Sequence, residues 1–267
     1  IRDNPVAKEF ETVRYSVEDG IAEIRLDRPD ALNAMSPKMA EELNSISLEI
    51  DADRSVRVII LVGEGKAFCA GGDLGVFKTA GEGARKLILK MTGDLHLAIS
   101  RIARNSAPVI AAVNGTAAGA GFSLVMAADL AIASEKAMFT MAYTNAGLSP
   151  DGSSTYFMPR KIGDRRTREL MMTNRVLSSQ EALSWGVVNQ VVSQEDFDES
   201  VRDMAAQIAT GSASAFGKVK DLLDSSFDYN LEGQMEREAR AIADQVVSQD
   251  GQEGMSAFLE KRKPDFS

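Results

Sequence analysis

The chain has 267 residues, of which 44% are hydrophobic and 26% charged, enough apolar material for one large core or a core with an appendage. A formal net charge of −9 and a pI near 4.9 argue against nucleic acid and anionic membranes as partners, so a phosphate-rich ligand would have to be held by local contacts. A single cysteine excludes an intrachain disulfide, and together with a single histidine it excludes a thiolate or imidazole metal cluster.

The opening residues IRDNPVAKEFETV lack the basic-then-apolar layout of a secretory signal. The closing KPDFS is not a peroxisomal tripeptide, and no apolar run is long enough to span a bilayer. A cytoplasmic protein is expected; with Ile1 in place of Met, organellar import stays open. ETVRYSV, the turn pair Asp19-Gly20 and IAEIRL predict a hairpin with Ala22, Ile24 and Leu26 on one face. Ser36-Pro37 predicts an N-cap and first turn, followed by Met39, Leu43, Ile46 and Ile50 at helical spacing. RVIILVG reads as a buried strand and leads into a glycine-rich loop, GEGKAFCAGGDLG.

A long amphipathic helix is expected over residues 82–104, with a stripe of Ile88, Met91, Leu95, Ala98 and Ile102. PVIAAV and DLAIAS read as further buried strands, with NGTAAGAG and a small-residue helix between them. Strand, loop and helix in alternation predict α/β layering. Past residue 195 only helical patterns remain, so the chain divides near 195–205 into an α/β core (1–200) and a helical region (201–267).

Two glycine-rich loops, Ala67–Asp73 and Asn114–Gly121, each follow a strand. Small residues let a backbone approach a ligand and aim free N–H groups at an oxyanion. Neither loop has the Gly-Lys-Ser/Thr of a phosphate loop or the spacing of a dinucleotide fingerprint. Taken alone, two such turns would signify tight packing. The chain, however, carries LDRPDALNAM (26–35), GKAFCAGGDL (65–74), PVIAAVNGTAAGAG (108–121), GLSPDG (147–152), SWGVVNQVV (184–192) and EGMSAFLEKR (253–262) in one order. That series resembles the enoyl-CoA hydratase/isomerase family, the crotonases, over nearly the whole length.

The resemblance implies a spiral of ββα repeats followed by a helical region used in trimer assembly, as a homotrimer or a dimer of trimers. It implies an acyl-CoA substrate and no separate cofactor, coenzyme A being part of the substrate. By position it implies that the amides of Ala70 and Ala120 form the oxyanion hole. Coenzyme A contacts map to Arg28–Ala34, which includes Ala31, and to Ala70, Gly71, Gly72 and Asp73, with Leu74 following. Arg28 and Lys66 suit phosphates, although a solvated surface role suits each equally. Phe258 and Lys261 match a tail segment that can reach a neighbouring subunit's ligand.

Where hydratases of the family carry two glutamates, this chain has Ser123 and Tyr143, both poor bases at neutral pH. Asp151, in Leu148-Ser-Pro-Asp-Gly152, reads as an ordinary turn residue by itself. Its position resembles the proton-shuttling carboxylate of isomerases such as the epoxyphenylacetyl-CoA isomerase, and an allylic shift needs only one base. The same position also resembles the nucleophile of 4-chlorobenzoyl-CoA dehalogenases, in which a histidine at the position of His96 assists hydrolysis. Helix-flank packing explains His96 more simply. The expected activity is therefore double-bond isomerisation, with hydration, dehalogenase-like hydrolysis and a non-catalytic acyl-CoA-binding subunit as alternatives. Cys69 reads as a small buried thiol.

Overall fold

The computed structural model describes residues 10–266, so the part of the N-terminus before residue 10 that was inspected for a targeting signal lies outside it. Strands β1 (Val13–Glu18) and β2 (Ile21–Leu26) pair antiparallel. Asp19 and Gly20 both take positive φ, 50° and 77°, the hairpin geometry that matches strand twist. Ala22, Ile24 and Leu26 are fully buried, as their alternation predicts. Helix α1 (Pro37–Ala52) starts at Ser36, whose Oγ accepts the Met39 N–H at 3.1 Å. Its buried face holds Met39, Leu43, Ile46 and Ile50.

The chain then runs through β3 (Val58–Gly63), β4 (Ala67–Cys69), α2 (Leu74–Thr79) and α3 (Ala84–Arg104). Next come β5 (Val109–Val113), β6 (Thr116–Ala118) and α4 (Ala120–Ala127), then β7 (Leu130–Ser134), β8 (Met138–Thr140), α5 (Ser154–Ile162) and α6 (Asp164–Thr173). The remainder is β9 (Leu177–Ser178), α7 (Ser179–Trp185), β10 (Gln190–Val192), α8 (Phe197–Ala209), α9 (Ala213–Ser225), α10 (Leu231–Val247) and α11 (Gln249–Glu260).

The pairs β3/β4, β5/β6 and β7/β8 each send their first strand to a six-stranded sheet and their second to a four-stranded sheet. The orders are β1-β2-β3-β5-β7-β10 and β4-β6-β8-β9, and β2 through β10 run parallel in the larger sheet. One or two helices follow each pair, so this is the ββα spiral. Both faces of the larger sheet are covered, which is why its strands read as continuous apolar runs. Ile59 and Leu61 face the main core, whereas Val58, Ile60 and Val62 meet Phe197, Val201 and Ala205 of α8.

The division expected at residues 200/201 thus falls within a helix that covers the sheet, and the helices that leave the sheet start at α9. These helices expose apolar side chains, among them Leu223, Val247, Phe258 and Leu259. Among the described residues, no helix is long and apolar enough to cross a membrane.

Candidate functional site

The two glycine-rich loops touch. Gly71 (φ 100°) and Gly119 (φ 48°) adopt backbone conformations that side chains rarely tolerate. A Cβ on Gly119 would lie 3.4 Å from Gly71 Cα, and one on Gly121 would lie 2.2 Å from Cys69 O. The second loop is therefore pressed onto the first along β4, and α4 begins directly beside the contact.

Which amides remain free corrects one expectation. The Ala70 N–H donates to Leu32 O at 3.0 Å, so it is not available to a thioester oxygen. The Met35 N–H donates to Gly71 O at 2.6 Å, and the Asp73 N–H donates to Met35 O at 3.0 Å. This parallel bridge between Met35 and Gly72 turns the Gly72 N–H the opposite way. Neither that amide nor the one of Ala120 has an acceptor among the described residues. Ala120 is the first residue of α4, where an N–H has no partner within the helix and the macrodipole is positive. Gly72 and Ala120 are therefore a free pair that flanks the loop contact, whereas Ala70 is not free.

Arg28–Ala34 is fastened to the first loop by Asn33, a residue the motif reading did not single out. Leu32 and Asn33 both have positive φ, 50° and 56°, which asparagine tolerates well. The buried Asn33 side chain accepts from the Arg28 N–H at 2.9 Å and donates to Glu64 O and Ala67 O at 2.9 and 2.8 Å. Arg28 is less free than its match to a phosphate contact implies. Its guanidinium donates to Ala34 O at 2.5 Å and to Asp73 Oδ2 at 2.9 Å. Asp73 meanwhile caps α2 by accepting from the Val76 N–H at 3.3 Å. The pair ties the two expected coenzyme A segments together. Ala31 is half-buried, Leu74 is exposed, and Lys66 is exposed with no ion pair among the described residues. Phe258 and Lys261 sit exposed at the end of α11, Lys261 in its left-handed cap.

Ser123, Tyr143, Asp151 and His96 converge from α4, the segment after β8, the turn before α5, and α3. The Tyr143 hydroxyl donates to Asp151 Oδ1 at 2.7 Å and lies 3.3 Å from Ser123 Oγ. Ser123 and Ser154 each donate to Asp151 O at 3.0 Å, which fixes the turn. Burial first, and the adjacent Asp151 second, push the Tyr143 phenol far above its usual range, so it acts as a donor and not as a base. A Cβ on Gly119 would lie 3.8 Å from the Tyr143 ring, so the carboxylate cluster adjoins the free amides. His96, expected at a helix flank, brings Nε2 to 3.7 Å from Asp151 Oδ2. One carboxylate oxygen is thus held by Tyr143 while the other faces His96 and the open side. Cys69 is buried, and burial pushes its thiol up to about 11, which makes it inert.

A family model described as enoyl-CoA hydratase/isomerase matches residues 16–267. A "probable enoyl-CoA hydratase" of Rhodobacter capsulatus is 37% identical over 97% of this chain and 98% of its own length. The 1,2-epoxyphenylacetyl-CoA isomerase of Escherichia coli is 34% identical over 97% and 99%. A 4-chlorobenzoyl coenzyme A dehalogenase of Arthrobacter is 36% identical over 91% and 88%. The crystal structure of an enoyl-CoA hydratase from Polaromonas superposes with a TM-score of 0.90 at 31% identity, covering 95% of this chain and 98% of that one.

Proposed function

The chain belongs to the enoyl-CoA hydratase/isomerase family of acyl-CoA enzymes, and we propose that its reaction is a double-bond shift in an enoyl-CoA thioester with Asp151 as the single acid/base. The thioester oxygen accepts hydrogen bonds from the Gly72 and Ala120 amides. Asp151 takes a proton from C2 of a 3-enoyl thioester, and the C–H electron pair moves into a dienolate whose charge rests on that oxygen. The protonated Asp151 then returns the proton to C4, leaving the double bond at C2–C3. The amides stabilise charge where it develops, and one carboxylate suffices for both transfers.

The observation that carries this reading is that Asp151 is the one carboxylate in the cluster of Ser123, Tyr143 and His96 that adjoins the free amides, with Ser123 and Tyr143 where hydratases carry glutamates. Hydration needs a second group to activate water, and a buried phenol pushed upward is a poor candidate. The test is incubation of a 3-enoyl-CoA in D2O. Deuterium at C2 or C4 with formation of the 2-enoyl product supports the shift, whereas a non-catalytic acyl-CoA-binding subunit gives neither.

The His96–Asp151 distance of 3.7 Å favours a second reading. There Asp151 attacks a halogenated ring carbon, halide leaves, and His96 activates the water that cleaves the resulting aryl ester. Chloride release from 4-chlorobenzoyl-CoA would select it.

We also propose assembly as a homotrimer or dimer of trimers, supported by the exposed apolar side chains of α9–α11. In that assembly Phe258 and Lys261 face a neighbour's ligand.

A further inference from the structure

A cavity of about 530 Å³ lies beyond the carboxylate, between α3, α5 and α9. It starts at His96, 3.7 Å from Asp151 Oδ2, and at Ser153, two residues after Asp151. Ile99, which also lines it, would lie 3.9 Å from a Cβ on Gly152. The cavity thus adjoins the proposed acid/base site through His96 and Ser153. It follows one face of α3 from His96 to Arg104, a rise of about 12 Å. The three C–C bonds of a four-carbon acyl group reach only about 3.6 Å, the span of one extended residue. Such a group would leave most of the space unfilled.

The walls differ in chemistry. Ile99 and Ala103 on α3 and the edge-on pair Tyr156/Phe157 on α5, with ring centroids 5.0 Å apart, offer an apolar, ring-compatible surface. The opposite wall is α9 and the turn after it, where Asp224 and Ser225 of the helix and Asp228 of the turn face the space. Gly217 packs against Ser106 and Lys220 reaches Ala107 O, so α9 runs back along α3. The Lys220 ammonium is already held by Asp129 at 2.6 Å and Ala107 O at 3.1 Å, and so offers little to a ligand anion. Asp221 is likewise paired with Arg237 at 2.8 Å. The cavity therefore combines an apolar face with a face of hydrogen-bond acceptors, and Arg104 at its far end is the remaining cation.

We infer that the acyl group is ring-sized and carries a hydrogen-bond-donating substituent, such as a hydroxyl, directed at α9. This inference rests on the acyl-CoA reading above and specifies its substrate. A short unbranched acyl group would lack the apolar contact, and a distal carboxylate would meet two like charges, Asp224 and Asp228, against the one remaining cation, Arg104.

The test compares 3-butenoyl-CoA with its derivatives carrying phenyl, hydroxyphenyl or carboxyphenyl at C4 by kcat/KM, and by calorimetry of the matching saturated thioesters. The hydroxyphenyl thioester should exceed the four-carbon one by about tenfold or more, and the carboxyphenyl one should rank below phenyl. Ser100→Phe, a change at an exposed cavity residue, should lower the ratio of hydroxyphenyl to four-carbon kcat/KM by about tenfold, and Asp224→Asn should narrow the gap between hydroxyphenyl and carboxyphenyl. Turnover of the four-carbon thioester with no aryl preference overturns the inference and leaves the acid/base reading standing. No turnover of any thioester, with the hydroxyphenyl preference kept in binding, upholds the cavity assignment and overturns the acid/base reading. Absence of both overturns both.

Discussion

The Tyr143 hydroxyl donates to Asp151 Oδ1 at 2.7 Å across the loop between β8 and α5, and this bond fixes the direction in which the carboxylate presents its second oxygen. Tyr143 is half-buried beside the glycine loops, while Asp151 is partly open to the cavity side. The pair joins the loop backbone to the only carboxylate in the cluster.

Asp151→Asn should preserve fold and thioester affinity, since amide and carboxylate are nearly isosteric. Turnover should fall by about two to four orders of magnitude, the scale of a positioned proton-transfer group. Steady-state kinetics with a melting curve checks this, and an active variant sinks the proposed mechanism. His96→Gln should be mild on a 3-enoyl-CoA. In the dehalogenase reading it should instead trap an aryl ester on Asp151, seen as a mass increase.

Replacing the Gly72 residue by glycolic acid swaps its N–H for an ester oxygen without adding a Cβ. A loss of about 10²- to 10³-fold in kcat is expected, as for a removed oxyanion donor. The same swap at Ala70, using lactic acid, should lower the melting temperature by breaking the bond to Leu32 O and leave kcat within a few-fold. Equal kinetic losses at both positions would show that the amide assignment is wrong.

Alkaline pH should destabilise the protein in a defined direction. Burial raises the Tyr143 phenol, raises the Cys69 thiol to about 11 and raises the Tyr15 phenol to about 12. Raised groups contribute stability that is complete below their unfolded values, about 8.5 for cysteine and 10 for tyrosine, and lost as pH rises beyond them. Unfolding free energy from denaturant titrations should therefore decline from about pH 9 upward, and more gently in Cys69→Ala. A flat profile from pH 8 to 11 contradicts the burial argument.

Light scattering at micromolar concentration should give a trimer or hexamer. Phe258→Asp combined with Leu259→Asp, both on exposed positions of α11, should shift it toward monomer with the circular dichroism spectrum kept. A wild-type monomer removes the assembly proposal.

Much of the frame was legible in the sequence because period and caps are local signals. The hairpin, α1 and the stripe of α3 follow from residue spacing alone, although Ile88 and Ile102 at the stripe's edge are only half-buried. β6 and β8 span three residues each, too short for any alternation to register, so the spiral could be expected only from the resemblance. The choice between Ala70 and Gly72 depends on Leu32 and Met35 pairing with the first loop, a tertiary event that no spacing within Ala70–Asp73 records. The approach of His96 to Asp151 is similar, since a helix flank and a turn residue meet only once the spiral has wound.

Gly115 and Gly121, pressed against Lys66 O and Cys69 O, bring together stretches of chain about fifty residues apart in sequence. The free amides of Gly72 and Ala120 sit on opposite sides of that seam, so neither turn of the spiral contains the proposed site by itself. In kinetic terms the site has a long loop to close, and contacts of that range form late. During refolding, helical signal should return before acyl-CoA binding does, and the lag between them would time the stacking of one turn on the next.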